Sequence, residues 1–498
     1  MKTYLLAIDQ GTTNSRAIVF DKSGRLIGQH EIALKQFFPH SGWVEQNPDE
    51  LFENTVYCCR EAIKKSKLTA DEITAIGISN QRETTIIWDK YTGRPVYSAI
   101  VWQDRRTSEL CQQLSKILPA EMLQQKTGLL LDPYFSATKI MWILQNVPGV
   151  KTRAQNGELL FGTIDTYLVW KLTKGKSHVT DATNASRTML YDIQTQQWDK
   201  NLLSAFDIPE ILLPKVLDNT ADFGETAVEF LGHPIPIAGM AGDQQAATVG
   251  QACFHPGMVK TTFGTGCFMM LNTGASVMGS KNRLLSTIAY RINKDVVYGL
   301  EGSIFSAGVT IKWLRDTLKI IKTSAETEMH AKSIESTNGV YLIPAFTGLG
   351  APYWDPDARA ALSGLTRGSE ISHIVRAALE AVAFQTRDLL DAMARDYQDE
   401  IATLRVDGGM AANNWLLQFL ADMAGVSVQR SACVETSALG AAYLAGLQTG
   451  VYSSLQEITD LWKMNAVFAP DMQNQQRELL YSGWKDAVAR TLKNKSTS

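Results

Sequence analysis

The sequence has no long apolar run. Its hydrophobic stretches all fall short of the roughly 20 uncharged residues that a membrane-spanning helix requires, and Asp9 interrupts the first of them. The N-terminal stretch carries one lysine and lacks the pattern of a secretory signal peptide. We therefore expect no membrane segment.

Cysteine is scarce, and its spacing excludes the usual zinc sites. No C-x-x-C pair and no His/Cys cluster with zinc-ligand spacing occurs among the six cysteines, which are Cys58, Cys59, Cys111, Cys253, Cys267 and Cys433. Such cysteines are ordinarily buried free thiols in a reducing compartment. We therefore expect a cytoplasmic protein.

The net charge is also small. It is −3, and the 48 lysines and arginines are dispersed along the chain. Dispersed charge provides neither the basic face that binds nucleic acid nor a polybasic membrane patch, so we expect neither partner. The 498 residues, 45% of them hydrophobic, are enough for about two to four domains.

Strand-like and helix-like patterns alternate throughout, which predicts an α/β protein. The pattern predicts strands at residues 5–8, 17–20, 73–79 and 85–88, and helices at 48–65, 105–115, 137–145, 162–170, 413–423 and 439–447. The last helix is rich in Gly and Ala and is therefore able to pack closely against a neighbour. Proline-rich loops between 209 and 236 precede the expected division into domains 1–250 and 251–498.

A polar turn lies between the first two predicted strands. It reads DQGTTNSR over residues 9–16. Gly11 allows close approach of a ligand to the backbone, and the backbone N–H groups with the hydroxyls of Thr12 and Thr13 can cradle phosphate oxygens. Asp9 can hold magnesium, directly or through water. Taken alone, the turn is equally typical of a hairpin with a polar tip.

Two similar turns follow in the second half. Residues 257–263 lead into Gly264, Thr265 and Gly266, and a further apolar strand comes after them. Later, the strand at 404–407 runs into Gly408 and Gly409. Two related hairpins, one in each half, suggest a duplicated architecture with a cleft between the halves.

These three turns resemble those of the actin-like ATPase fold, in which two ribonuclease-H-like domains close over a nucleotide. Residues 348–355 (GLGAPYWD) and 134–139 (YFSATK) with Trp142 resemble the two signatures of the FGGY carbohydrate kinase family. Within that family, four segments resemble the members that phosphorylate glycerol; they lie at 79–85, 101–106, 239–245 and 263–268. The resemblance runs in order over nearly the whole chain.

The resemblance implies a glycerol site. Its expected residues are Arg82, Glu83, Trp102, Tyr134, Asp243, Gln244 and Phe268. Asp243 is expected to act as the general base, and Asp9 and Asp243 to hold magnesium. Arg82 and Glu83 would point to opposite faces if they continued a strand. We therefore expect a loop or bulge there, although a surface ion pair is the common alternative.

The resemblance also implies ATP as the phosphoryl donor and Mg²⁺ as its companion. The expected nucleotide contacts are Thr12, Thr13, Asn14, Arg16, Thr265, Gly266, Gly308, Gly409 and Asn413. A homodimer or homotetramer is usual in the family and is expected here.

Three positions depart from the family pattern. Lys312 replaces a usual glutamine near the nucleotide, and Asn14 replaces a frequent serine. Residues 229–234 (EFLGHP) carry neither the loop that binds fructose 1,6-bisphosphate in some relatives nor the histidine that is phosphorylated in others. We expect both regulatory inputs to be absent.

Two other functions remain open at this point. A kinase of the same family could act on a pentulose, a tetritol or another polyol. A member of the wider fold class could instead be a filament or a chaperone-like binding module, because fold alone does not determine function.

Overall fold

The computed structural model describes residues 3–355, 357–401 and 403–492. Two large sheets form the centre of this structure, one in each half of the chain. Residues 493–498 of the second predicted domain lie outside the described ranges.

The N-terminal sheet has five strands. Tyr4–Gln10 pairs antiparallel with Asn14–Asp21 on one side and parallel with Ile73–Asn80 on the other. The complete spatial order is Ile237–Gly242, Ile73–Asn80, Tyr4–Gln10, Asn14–Asp21 and Leu26–Ala33. Every residue of the central strand Tyr4–Gln10 is buried, because both faces of the sheet are covered.

The C-terminal sheet repeats this arrangement. Met258–Phe263 pairs antiparallel with Cys267–Gly274 and parallel with Thr403–Asp407. The spatial order is Leu285–Ile292, Asp295–Ile304, Cys267–Gly274, Met258–Phe263, Thr403–Asp407, Val428–Ser431 and Met464–Phe468. A hairpin at the centre with parallel strands beside it therefore occurs twice, as the two Gly/Thr turns suggested.

The remaining strands form five short pairs. They are Glu45–Gln46 with Ala99–Ile100, Ile86–Asp89 with Leu159–Gly162, Val179–Asp181 with Lys215–Leu217, Tyr191–Asp192 with Gln197–Trp198, and Tyr341–Ile343 with Ala361–Ser363.

Helices cover the sheets. Those of the N-terminal half are Pro48–Lys65, Ser108–Leu114, Ala120–Thr127, Ser136–Asn146, Val150–Gln155, Ile164–Leu172, Ala182–Ala185, Lys200–Ala205, Val228–Leu231 and Asp243–Gly250. Those of the C-terminal half are Gly308–Lys312, Glu326–Lys332, Ile371–Tyr397, Asn414–Ala424, Thr436–Gln448, Leu455–Leu461 and Asn474–Thr491. Single helical turns of other types lie at Ala70–Glu72, Glu210–Leu212, Trp313–Thr317 and Gly409–Ala412.

Two small-residue helices pack against each other where the halves meet. They are Asp243–Gly250 and Thr436–Gln448. A Cβ on Gly440 would lie 1.8 Å from the carbonyl oxygen of Ala246, so only glycine permits this approach. The close packing predicted for the second of these helices is confirmed, and this helix also covers the N-terminal sheet, where a Cβ on Gly77 would lie 2.0 Å from the Ala441 carbonyl oxygen.

Most predicted elements are present with shifted ends. The helix Pro48–Lys65 has the predicted bounds. The helix predicted at 162–170 begins instead at Ile164, because the preceding residues form the strand Leu159–Gly162. All six cysteines are free thiols, five of them buried and Cys433 half-buried.

In the described part of the chain, no helix has the length and apolar character needed to cross a bilayer.

Candidate functional site

A cavity of about 1270 Å³ opens between the two halves. Most of the predicted site residues line it: Thr12, Thr13, Arg82, Glu83, Trp102, Tyr134, Asp243, Gln244, Thr265, Gly266 and Phe268. A second cavity of about 670 Å³ is lined by Arg16 and Gly409. Thr262 lines both cavities, so the two spaces adjoin.

The first Gly/Thr turn is held by hydrogen bonds on several sides. The Gly11 amide donates to the carbonyl of Asn14 at 3.0 Å and closes the turn. The Trp102 indole donates to the Thr12 hydroxyl at 2.9 Å, and Gln46 donates to the Thr12 carbonyl at 2.6 Å. The side chain of Asn14 donates to Glu31 at 3.4 Å and is not among the groups that line either cavity.

Arg16 links the two halves through carboxylates. It lies 2.6 Å from Asp9 on its own hairpin and 2.5 Å from Glu435, which precedes the helix Thr436–Gln448. Burial opposes the charge of Arg16, but the two carboxylates outweigh it, so its pKa is raised above the ordinary value. The cation predicted beside the phosphates is therefore already paired on both sides.

Arg82 and Glu83 lie in a bend after the strand Ile73–Asn80. Glu83 has a φ of +61°, the left-handed region that a regular strand does not contain. Both side chains are buried, at 2% and 1% exposure, and both line the large cavity. The predicted departure from strand geometry is confirmed, and the alternative of a surface ion pair is wrong for these residues.

Two further charged residues contact this pair, and neither was predicted from the sequence. Arg187 Nε donates to Glu83 Oε1 at 2.7 Å. Glu301, from the strand Asp295–Ile304, accepts from both terminal nitrogens of Arg82 and from Arg187 Nη2 at 2.9 Å. The sequence signal available for Glu301 was a charged side chain among mostly apolar residues in the second part of the strand Asp295–Ile304.

Asp243 stands where the strand Ile237–Gly242 passes into the helix Asp243–Gly250. Its side chain is 31% exposed, and its Oδ1 lies 3.3 Å from Arg82 Nε. The main-chain amide of Gln244 donates to the same oxygen at 2.7 Å. Burial and the nearby Asp9 raise its pKa against the opposing effects of Arg82 and Lys260. The arrangement leaves one oxygen of a strengthened proton acceptor available to the cavity.

Lys260 lies near enough to this carboxylate to lower its pKa, and it was not predicted. Its ammonium is buried and donates to Gln244 Oε1 and, at 3.1 Å, to Thr262 Oγ1. Burial lowers its pKa. Because this bond occupies the amide oxygen of Gln244, the amide NH₂ group is the part of that side chain left to meet a ligand.

Three aromatic rings line the large cavity next to one another. Trp102 meets Tyr134 edge-on at 5.5 Å between ring centroids and Phe268 at 6.1 Å. The Arg82 guanidinium lies 5.9 Å from the centroid of Phe268. Burial raises the pKa of Tyr134, so its hydroxyl stays protonated at neutral pH. The cavity is thus bounded by rings on one side and charged groups on another.

The second Gly/Thr turn is held by main-chain bonds. Gly264 donates to the Gly266 carbonyl at 2.9 Å, and Gly308 donates to the Gly264 carbonyl at 3.1 Å. A Cβ on Gly308 would lie 2.5 Å from that same carbonyl oxygen. Gly308 therefore supports the turn from behind and is not among the residues lining either cavity.

Gly409 and Asn413, the last two of the predicted nucleotide contacts, have different surroundings. Gly409 lines the smaller cavity and has open space where a Cβ would stand. Asn413 instead caps the helix Asn414–Ala424, since its Oδ1 accepts from the Leu416 amide at 2.9 Å. Its amide NH₂ donates to Thr327 at 3.2 Å, and the side chain is absent from the lining of both cavities.

Over the described ranges, no group of three or more His, Cys, Asp or Glu side chains is placed to hold a metal ion. The two carboxylates predicted for magnesium, Asp9 and Asp243, each lie beside an arginine.

Comparison with known proteins gives consistent matches over nearly the full length. Residues 4–250 match the model of the N-terminal domain of the FGGY family of carbohydrate kinases, and residues 259–449 match that of its C-terminal domain. A glycerol kinase of Coxiella burnetii is 58% identical over 99% of this chain and 98% of its own length. A glycerol kinase of Ectopseudomonas mendocina is 57% identical over 98% of this chain and 99% of its own.

A solved structure agrees with the fold. The crystal structure of Plasmodium falciparum glycerol kinase with ADP has a TM-score of 0.92 and 40% identity, covering 99% of this chain and 98% of that one. The expected class, a two-domain actin-like ATPase fold, is confirmed. The chain belongs to the FGGY family of carbohydrate kinases.

Proposed function

We propose that this chain transfers the γ-phosphoryl group of ATP to the 3-hydroxyl of glycerol, giving sn-glycerol 3-phosphate and ADP. The observation that carries the proposal is the position of Asp243, which faces a cavity bounded by Arg82, Glu83 and aromatic rings, with a Gly/Thr turn from each half lining the same space. The identity to glycerol kinases, up to 58% over nearly the whole chain, supports this choice of substrate.

Glycerol requires groups that both donate to and accept from its hydroxyls. Arg82 offers a planar fork of donors, and the carboxyl oxygens of Glu83 offer acceptors. Tyr134 and the amide NH₂ of Gln244 add further donors. Trp102 and Phe268 pack against the carbon chain, as expected for a mostly apolar pocket with a few oriented polar groups.

Asp243 serves as the general base. An alcohol is too weakly acidic to lose its proton beforehand, so the carboxylate aligns the hydroxyl and accepts the proton as the oxygen–phosphorus bond forms. Its raised pKa makes it a better proton acceptor. Arg82 at 3.3 Å keeps the carboxylate oriented and opposes the rise of its pKa.

The two turns hold the phosphates of ATP. Thr12 and Thr13 act from the N-terminal half, and Thr265 and Gly266 from the C-terminal half. Asn14 closes the first turn through its carbonyl, which accepts from the Gly11 amide. Backbone N–H groups aimed at spread negative charge stabilise the loose transition state of phosphoryl transfer. Arg16 adds positive charge, Gly308 supports the second turn, and Gly409 bounds the adenosine. Asn413 acts indirectly, by capping the helix Asn414–Ala424 that follows.

Magnesium fits this site only together with the phosphates. Asp9 and Asp243 provide two carboxylates, and Mg²⁺ in kinases is commonly held by one or two carboxylates plus phosphate oxygens and water. When bound, the ion neutralises charge on the phosphate oxygens. The pairing of Asp9 with Arg16 holds that carboxylate in place.

We further propose that the chain divides into domains 1–250 and 251–498, acts in the cytoplasm, and assembles as a homodimer or homotetramer. The family matches at 4–250 and 259–449 support the division.

ADP release with ATP and each of glycerol, erythritol and xylulose tests the proposed function. Glycerol should give the largest kcat/KM, and ADP should not form without a polyol. A preference for erythritol or xylulose would favour another family activity, and salt-dependent pelleting without polyol-dependent ADP release would favour a filament.

A further inference from the structure

Four charged side chains form a closed ring beneath the cavity. They are Arg82, Glu83, Arg187 and Glu301, and each is at most 2% exposed. In order around the ring, Glu83 pairs with Arg187 at 2.7 Å, Arg187 with Glu301 at 2.9 Å, and Glu301 with Arg82 through both terminal nitrogens. Arg82 Nε lies 3.9 Å from Glu83 and completes the ring.

The ring divides into two members that line the cavity and two that do not. Arg82 and Glu83 line it. Arg187 and Glu301 lie behind them, and each holds one of the two lining residues. Because a free arginine or glutamate side chain has several rotamers, a buried counter-ion on each restricts the directions in which donors and acceptors reach the substrate.

The ring also joins the two halves of the molecule. Arg82, Glu83 and Arg187 belong to the N-terminal half, whereas Glu301 comes from the strand Asp295–Ile304 of the C-terminal sheet. Glu301 is held as a charged group, since Arg187 and Arg82 lower its pKa against the opposing effect of burial. Removal of its charge leaves two buried guanidinium groups with one carboxylate between them.

We propose that Glu301 and Arg187 are positioning residues that fix Arg82 and Glu83 for recognition of a vicinal diol, so that the polyol pocket is complete only when Glu301 of the C-terminal sheet is in place. This inference rests on the proposed function. It predicts that the ring governs polyol affinity and leaves nucleotide affinity nearly unchanged, because its members lie under the polyol end of the cleft.

Glu301→Gln tests the proposal, because it removes the charge while keeping shape. The KM for glycerol should rise by about 30-fold or more, as expected when a buried, hydrogen-bonded charge loses its partner. The KM for ATP should stay within about two-fold and kcat within about five-fold, since ground-state polyol binding is what is lost. Glycerol titrated calorimetrically without ATP should bind more weakly by the same factor.

Glu301→Asp guards against a variant that merely folds poorly. It keeps the charge on a shorter side chain, so its glycerol KM should lie between those of wild type and Glu301→Gln. Arg187→Lys keeps charge but loses the planar fork, and its glycerol KM should also rise while its ATP KM does not.

Glu380→Gln is the matched control. Glu380 is also a buried glutamate, 2% exposed, and pairs with Arg376 at 2.8 Å, but it lines neither cavity. Burial raises its pKa to about 7, so a neutral amide is a mild change there. Its glycerol KM should stay near that of wild type.

Three outcomes would overturn the proposal. They are a glycerol KM of Glu301→Gln within about three-fold of wild type, a parallel rise of the glycerol and ATP KM values, and an equal effect of Glu380→Gln. Wild-type protein that forms no ADP with glycerol would instead refute the proposed function, so the two failures are distinguishable.

Discussion

The two Gly/Thr turns occupy equivalent places in two similar sheets but are held in different ways. The first is fixed by side chains, through Trp102 on Thr12 and through the pairing of Arg16 with Asp9 and Glu435. The second is fixed by main-chain bonds among residues 264–266 and 307–309. The N-terminal half therefore contributes mostly side-chain chemistry, and the C-terminal turn contributes mostly backbone shape.

The largest expected effect is on kcat, and it follows from changing Asp243 in the N-terminal half. Asp243→Asn removes the proton acceptor, and kcat should fall by about 10³-fold, in the middle of the range for general-base removal. The glycerol KM should change little, because Arg82 and Glu83 remain. Steady-state rates across pH sharpen the test: the acid limb of the wild-type kcat profile, displaced upward by the raised pKa of Asp243, should disappear in the variant. Substantial activity in Asp243→Asn would remove the assigned base.

The next effect concerns the backbone shape of the second turn. In Gly308→Ala the new Cβ would meet the Gly264 carbonyl oxygen, so the turn must shift, and the ATP KM should rise by roughly 10-fold while the glycerol KM is nearly kept. Gly279→Ala is the control, because a Cβ there has no atom within 4 Å and no positive φ opposes it. If both variants bind ATP normally, the C-terminal turn does not act through its shape.

Acid should lower the stability of the N-terminal half through the protonation of one histidine. His178 is partly buried against the Phe161 carbonyl, and burial lowers its pKa to about 4. In the unfolded chain the imidazole takes up a proton near pH 6.5. The contribution of neutral His178 to the free energy of unfolding is therefore fully present above that pH and is lost as the pH drops toward 4. Because His178 retains some solvent contact, the loss should be about 1 kcal/mol. Thermal unfolding midpoints at pH 7 and pH 5 should show a smaller drop for His178→Gln; an equal drop would assign the acid sensitivity elsewhere.

The smallest expected effect is on the ATP KM, and it tests whether side chains hold the first turn. Glu435→Gln removes one of the two carboxylates that hold Arg16, so the guanidinium turns to the phosphates more easily. The ATP KM should fall by about three-fold, a shift of the size expected for a partly exposed ion pair. Initial rates at varied ATP measure it. A higher ATP KM would mean that Glu435 orients Arg16 toward the nucleotide instead.

Much of this arrangement could be predicted because its signals are local. The strands around residues 4–21 and the Gly/Thr turns are read from adjacent residues, and the bend at Arg82 and Glu83 follows from the need for both side chains on one side. Asn413 was assigned to the nucleotide, yet an asparagine just before a helix also has the local signature of an N-cap, which is its place in the structure.

The ring partners could not be found in the same way. Arg187 and Glu301 meet Glu83 and Arg82 across 104 and 219 residues of sequence. Lys260 has the sequence pattern of an ordinary strand residue, and its position near Asp243 follows only from the tertiary fold. A charge among apolar residues can be noticed in the sequence, but the ion pair that it forms can be predicted only when its partner is near in the chain. These partners are brought together by the tertiary fold.

The helix Thr436–Gln448, which contacts Asp243–Gly250 through glycines, covers part of the N-terminal half late in synthesis. The apolar face formed by Leu5, Ala75 and Ala238 is covered by Ala438, Leu439 and Ala442 of the later helix. A ribosome must therefore translate some two hundred codons beyond the last N-terminal strand before that face has its cover. Until then the nascent N-terminal half exposes this apolar face, so we expect a fragment that ends before residue 436 to aggregate more readily than the full chain.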